Sequence, residues 1–268
     1  MDKRKGFTLI ELLVVIAIIA LLMAMLMPAL ARVRRQARGA ACKANLHQWA
    51  VIFSMYTDDN RGYNPTGPYF AAGGPGIMWM SALRKYAGDS NDLYFCPMAT
   101  IPENDRFGRP TGARHPYKAW GVYDNDRPWG RRKYDVGSYG ISEYAGAAGA
   151  SGGRWDIFWK TPNVKYAGEI PLLADSTYLD GAPKDSDPAP QWEGQPRASG
   201  GINPSGEMNH FCINRHNGSI NLLFMDSSVK EIPLKCLWKL RWSRDFDIYL
   251  NDPAWTPWMK RFPECSIR

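Results

Sequence analysis

The sequence predicts an α+β protein: a long N-terminal transmembrane helix and stalk packed on an antiparallel β-sheet globular domain. Three observations carry that prediction. An apolar tract runs from Phe7 to Leu30 with a single acidic residue, Glu11, inside it. Beyond it Cys42, Leu46, Trp49, Phe53 and Tyr56 follow at steps of four, three, four and three, which is one face of a helix. The rest of the chain is rich in Gly, Pro, Trp and Tyr, with short apolar runs between turn signals, the pattern of a sheet with long connecting loops.

The tract is the longest of these signals. Roughly 24 residues rising about 1.5 Å each cover about 36 Å, enough to cross a hydrocarbon core of about 30 Å with some tilt. Lys3, Arg4 and Lys5 precede it and favour a cytoplasmic N-terminus, although Arg32, Arg34, Arg35 and Arg38 behind it reduce the charge asymmetry. Glu11 is costly in such a run, about 2.5–3.5 kcal/mol at a helix centre and less near the interface, unless a cation meets it. Pro28 removes a backbone donor and is expected to kink or loosen the helix near the outer membrane face. A secretory signal peptide cut near Ala29-Leu30-Ala31 is the rival reading. It is disfavoured because the tract exceeds the usual apolar core of about 7–15 residues and holds an acid.

The stripe from Cys42 to Tyr56 is expected to cover a packed domain, and Asp58-Asp59-Asn60-Arg61-Gly62 supplies the chemistry that stops the helix. From Phe7 to Tyr56 the rod would measure about 75 Å, far more than a small domain needs. Strands are expected at Leu93–Cys96, Ser138–Tyr144, Ile170–Ala174, Ser219–Met225 and Val229–Ile232, the last two joined by a turn at Asp226-Ser227-Ser228. After Pro233 a short helical segment should pack back on the sheet. No internal repeat is present. The organisation expected is a leader over residues 1–6, the helix over 7–58 (transmembrane 7–30, stalk 31–58) and a globular part over 59–268.

Composition agrees with a folded chain: 268 residues, 45% hydrophobic and 22% charged, exclude disorder and collagen-like repeats. A net charge of +7, partly concentrated in the first 43 residues, is no nucleic-acid footprint by itself, and no nucleic-acid partner is expected. Five cysteines without a C-x-x-C pair argue against a zinc ribbon or a thioredoxin-like site. His47, His115, His210 and His216 are spread without a metal-binding cadence. The Gly149–Gly153 stretch lacks the Lys-Ser/Thr ending of a phosphate loop and reads as a connection.

Lys5-Gly6-Phe7-Thr8-Leu9-Ile10-Glu11-Leu12 resembles the type IV prepilin signature shared by type IV pilins and type II secretion pseudopilins. The resemblance implies a pilin-like fold, cleavage by a prepilin peptidase between Gly6 and Phe7, and N-methylation of Phe7. It also implies that Glu11 meets the Phe7 amine of a neighbouring subunit, and that Pro28 matches the helix-loosening proline many pilins carry. The partners implied are the inner membrane, the prepilin peptidase/methylase and other pilin or pseudopilin subunits. The location implied is a single pass of the inner membrane with the C-terminal domain extracytoplasmic, in the periplasm or at the cell surface.

Further fragments extend the likeness. His216 and Asp226, nine residues apart, resemble the C-terminal H-x9-D-G region of a large group of bacterial prepilin-like proteins, with Ser227 in place of the usual Gly. Asn45-Leu46, Tyr56-Thr57-Asp58-Asp59-Asn60, Phe95-Cys96-Pro97 and Ser138-Tyr139-Gly140 look like the same group. A His216–Asp226 hydrogen bond locking the hairpin is the structural role expected. No catalytic residue is expected, because no nucleophile, base and orienting group can be assembled around them, and Ser219 and Ser227 lack a G-x-S-x-G context.

No cofactor is expected. Major pseudopilins commonly use calcium, and the weak candidates for it are Asp58, Asp59 and Asn60, or the run Asp175, Asp180, Asp185 and Asp187. Neither set has the EF-hand order. An extracytoplasmic domain permits disulfides, with Cys42–Cys96 the first expectation because their segments should pack together. The expected function is a structural subunit assembled through its helix into a type IV pilus or a type II secretion pseudopilus. The alternative is a membrane-anchored glycan-binding module or enzyme that uses a pilin-type leader, with Trp255 and Trp258 as stacking surfaces.

Overall fold

A computed structural model describes residues 9–65, 70–71, 74–75, 79–88, 92–123, 134–146, 155–194 and 206–266. The first helix, α1 (Leu9–Asp59), is 51 residues long and runs through Pro28 as one unbroken helix. It has two halves of opposite character. From Leu9 to Leu30 its large apolar side chains are exposed, whereas Cys42, Leu46, Trp49, Ala50, Ile52 and Phe53 are buried. The expected stripe therefore forms the core face, with Tyr56 half-buried at its end. The helix stops where Gly62, at φ 80°, lets its own N–H return to the Thr57 carbonyl at 2.7 Å.

Three small sheets follow. β1 (Phe70–Ala71) and β2 (Gly74–Pro75) pair with each other, and α2 (Trp79–Ala87) comes next. β3 (Ile101–Pro102) runs parallel to β4 (Lys118–Tyr123), which is antiparallel to β5 (Tyr134–Gly137). The main sheet contains β6 (Tyr139–Ser142), β7 (Pro171–Asp175), β8 (Asp180–Gly181), β9 (Ser219–Phe224) and β10 (Val229–Pro233). Its order is β10-β9-β7-β6-β8, antiparallel except for the β6–β8 pair. β7 is buried at every position, which is why Pro171-Leu172-Leu173-Ala174 reads as a continuous apolar run.

The helix and sheet close around aromatic side chains. Trp49 meets Trp79 and Tyr94 edge-on at 5.3 and 5.1 Å between ring centroids, and its indole N–H donates to the Leu93 carbonyl at 2.9 Å. Beside it the Asn45 side-chain amide donates to the Phe95 carbonyl at 2.9 Å. These two bonds explain the one expected strand that differs. The Leu93 and Phe95 carbonyls bond to side chains of α1, the Tyr94 carbonyl accepts the Ser138 N–H and the Cys96 carbonyl the Ala99 N–H, so no strand ladder forms, and residues Asp92–Tyr94 form a 3₁₀ turn. The helical segment expected after Pro233 is a 3₁₀ helix, Leu234–Lys239. Cys236 within it is bridged to Cys265, which pins the tail to the sheet. The first disulfide expected was a different one; Cys42 and Cys96 are both unbridged thiols.

The β9–β10 hairpin forms as expected, with Leu223 opposite Val229 and Ile220 opposite Ile232. Its turn places the exposed Ser227 at φ 67°, the left-handed region that favours glycine. The cost of that conformation for a residue with a Cβ is roughly 1–2 kcal/mol, partly offset because glycine loses more entropy on folding. Ser227→Gly is therefore expected to stabilise the fold by about 0.5–1 kcal/mol, a rise of roughly 1–3 °C in the thermal midpoint followed by circular dichroism. A lower midpoint would contradict the strain.

Candidate functional site

The expected site residues fall at two ends of the molecule. Gly6 and Phe7 lie outside the described residues. Glu11 is on the exposed face of the first turns of α1, and Pro28 is further along the same exposed half. The rod they stand on is long and apolar enough to cross a membrane, and no residue of its most apolar stretch is buried in the protomer.

His216 and Asp226 are not partners. They bracket β9 itself, so they sit at opposite ends of a six-residue strand, roughly 20 Å apart at about 3.3 Å per residue. The side of the hairpin facing the start of β9 belongs to Pro233, not to Asp226. Asp226 caps its own turn: Oδ1 accepts the Ser228 N–H at 2.9 Å and the Ser228 hydroxyl. His216 instead meets Asp175 at the C-terminal end of β7, with Nε2 3.0 Å from Oδ2.

Asp175 is the hub of a buried polar cluster that the sequence pattern did not reveal. Its Oδ1 accepts from Arg215 Nη1 at 3.0 Å, and its Oδ2 accepts the Asn221 backbone N–H at 2.9 Å. Arg215 and Asp175 are both wholly buried. The guanidinium makes three further bonds: Nε donates to the Pro116 carbonyl at 2.7 Å, Nη1 to the Ser138 carbonyl at 2.6 Å and Nη2 to the Ser176 carbonyl at 3.0 Å. One side chain thereby ties together the loop before β4, the start of β6 and the end of β7.

Two thiols complete the cluster. Cys42 on α1 lies 3.6 and 3.8 Å from the two Asp175 oxygens, and Cys96 Sγ lies 3.4 Å from His216 Nε2. The Tyr139 hydroxyl donates to Cys42 Sγ at 3.3 Å, while the Cys96 N–H donates to Ser138 Oγ at 2.6 Å. Gly140 follows Tyr139 where a Cβ would come within 2.6 Å of the Tyr178 carbonyl oxygen, so only glycine lets β6 approach. The scattered fragments Asn45-Leu46, Phe95 to Pro97 and Ser138 to Gly140, with Arg215-His216, in this way come together beside Cys42.

The charges hold one another. Burial pushes the Asp175 carboxyl up, but the His216 and Arg215 cations and the hydrogen bonds more than offset this and keep it well below the usual carboxylate range. Burial pushes His216 down, and Asp175 outweighs that, lifting it to about 10. The Cys42 thiol, raised by burial, is brought to about 7 chiefly by its hydrogen bond with Cys96, whose own thiol is driven well up by burial.

Several of the side chains suggested for calcium make hydrogen bonds within the protein. Asp59 accepts from the Tyr86 hydroxyl at 2.8 Å and Asn60 donates to the Tyr56 carbonyl at 2.7 Å. Asp187 Oδ2 accepts the N–H groups of Lys184, Glu207 and Met208, Asp185 accepts the Asp247 N–H, and Asp175 belongs to the cluster above. The tail indoles are similarly engaged. Trp255 donates to Glu264 and packs edge-on to Trp238, and Trp258 donates to the Pro190 carbonyl.

The N-terminal end defines the class of protein. Residues 1–27 match the family model of the prokaryotic N-terminal methylation motif, and with a long apolar helix leading into an α+β domain the chain is prepilin-like. It is 48% identical over 63 residues to the type IV wide pilus major component PilA4 of Thermus thermophilus, a match covering 24% of this chain and 48% of that protein. The chain thus spans about half the length of the curated relative it matches. No solved structure matches it significantly.

The cluster also sets an expectation for stability. Removing one member of a buried ion pair typically costs about 3–5 kcal/mol, because the other charge stays in place without compensation. Arg215→Met is expected to destabilise the chain by that amount, measured by denaturant unfolding of the full chain in detergent micelles. A loss below about 1 kcal/mol would mean that Asp175 is held by His216 and Asn221 alone.

Proposed function

We propose that this chain is a structural subunit of a type IV pilus or a type II secretion pseudopilus. It is made as a precursor held in the inner membrane by the first half of α1, with its N-terminus cytoplasmic and its β-rich domain outside. A prepilin peptidase cuts between Gly6 and Phe7 and methylates the Phe7 amine. The helix then leaves lipid and packs against the helices of sister subunits.

The observation that carries this reading is the division of α1. Its first half is apolar all round and buried nowhere in the protomer, while its second half is core. A helix apolar on every side is stable only in lipid or among other apolar helices. Exchanging one for the other leaves its backbone hydrogen bonds intact and changes only what surrounds the side chains. Glu11 sits near the end of the apolar stretch, where a carboxylate is costly without a cation. The positively charged amine of a neighbouring Phe7 supplies one and sets the axial register between subunits. His216 and Asp226 have no part in this chemistry and serve the fold of the domain.

Mass spectrometry of the native protein tests the processing: the expected N-terminal peptide begins with methylated Phe7, and a peptide beginning at Arg32 would overturn it. Glu11→Ala is expected to leave cleavage largely intact and to lower incorporation into filaments at least roughly tenfold, the loss of an interaction worth about 1.4 kcal/mol or more per contact. Quantitative immunoblotting of sheared filaments reads this out, and unchanged incorporation would remove Glu11 from the register.

A further inference from the structure

We propose that Cys42, Cys96, Asp175 and His216 form a structural zinc site that fastens the stalk helix to the sheet. Their ligand atoms all lie within 4.8 Å of one another, and three of the four side chains are buried. With bonds of about 2.3 Å to sulfur and 2.0–2.2 Å to nitrogen or oxygen, a zinc tetrahedron has edges of roughly 3.5 Å from sulfur to nitrogen or oxygen and about 3.3 Å from nitrogen to oxygen. The corresponding distances are 3.4 Å from Cys96 Sγ to His216 Nε2, 3.8 Å from Cys42 Sγ to Asp175 Oδ2, and 3.0 Å from Nε2 to Oδ2. These three of the six separations lie close to those a tetrahedral ion would impose, and the other three lie within 4.8 Å.

The donor set selects the ion. Two thiolates, an imidazole and one carboxylate suit zinc, whereas calcium takes six to eight hard oxygens. Four protein ligands leave no open position, so the site is structural. The shell around the ligands is in place as well. Arg215 holds Oδ1 of the carboxylate whose Oδ2 would bind, the Asn221 N–H orients that same Oδ2, and the Tyr139 hydroxyl donates to Cys42 Sγ. Binding displaces the protons of both thiols and of Nε2. Two thiolates and a carboxylate then balance a dication and the Arg215 guanidinium, leaving the buried cluster without net charge.

The arrangement differs from a disulfide in kind. Cys42 and Cys96 are unbridged while Cys236 and Cys265 in the same chain are joined. The four ligands come from α1, the loop beyond the 3₁₀ turn at 92–94, the end of β7 and the loop before β9. The ion would therefore join the membrane-proximal rod to the main sheet. It belongs to the domain and does not depend on how the first half of α1 assembles.

The test uses the untagged full chain, purified in detergent without chelator or added oxidant. Elemental mass spectrometry is expected to find about one zinc per chain. Exchange for cobalt(II) is expected to give the visible bands of a tetrahedral ion with a thiolate charge-transfer band in the near ultraviolet. Cys96→Ser and His216→Ala are expected to lose the metal. Tyr139→Phe keeps all four ligands and is expected to weaken zinc binding roughly tenfold in a chelator competition. Because the ligand variants can fail to fold, the unaltered protein decides. A chain that takes up neither zinc nor cobalt, or peptide mapping that finds Cys42 joined to Cys96, overturns the site. So does a full complement of zinc retained in both ligand variants.

Discussion

The carboxylate of Asp175 is the constraint around which the domain is arranged. A buried charge of that kind is tolerated only when every lone pair finds a partner, and here Arg215, His216 and the Asn221 backbone share the task. The requirement reaches outward. Arg215 in turn draws in the carbonyls of Pro116, Ser138 and Ser176, so segments distant in sequence are fixed relative to one another by a single guanidinium. Hydrophobic burial supplies the bulk of the stability. The buried polar contacts decide which of many possible packings is adopted.

The second organising fact is that one helix has two surfaces, the first of them long and apolar enough to cross a membrane. Its first half carries apolar residues on all sides, whereas its second half buries one apolar face against Trp79, Tyr94 and β9 and leaves Val51 and Met55 exposed. The change in pattern comes after the arginines at 32, 34, 35 and 38. The rod thereby combines a stretch apolar enough to cross a membrane with a wall of the core in one unbroken backbone.

Much of this was legible in the residues. The apolar tract, the stripe from Cys42 to Phe53 and the β9–β10 hairpin each have a strong period or turn signal, and each forms where that signal lies. What escaped depends on tertiary partners. Residues 93–96 carry strand-like side chains, yet the Leu93 and Phe95 carbonyls are taken by Trp49 and Asn45. His216 and Asp226 look paired by their spacing, but six of the nine residues between them form a strand that holds them apart. Asp175 stands at the end of an apolar run and gives no sign of its role. Its partners are 133, 79, 41 and 40 positions away at Cys42, Cys96, His216 and Arg215, distances over which spacing carries no information. The clue available was indirect: Asn45-Leu46, Phe95-Cys96-Pro97, Ser138-Tyr139-Gly140 and the stretch around His216 all belong to the fragments that resembled other prepilin-like proteins, and in the fold they meet beside Cys42 and Asp175.

The buried end of α1 also bears on how this chain can be divided. Leu46, Trp49 and Phe53 fill the middle of the globular part, and Cys42 and Asn45 reach across to segments that would otherwise lose their partners. A soluble fragment begun at residue 60 would expose the hollow that these side chains occupy. The smallest piece able to close its own interior begins upstream of Cys42, among the arginines, and includes a length of the rod.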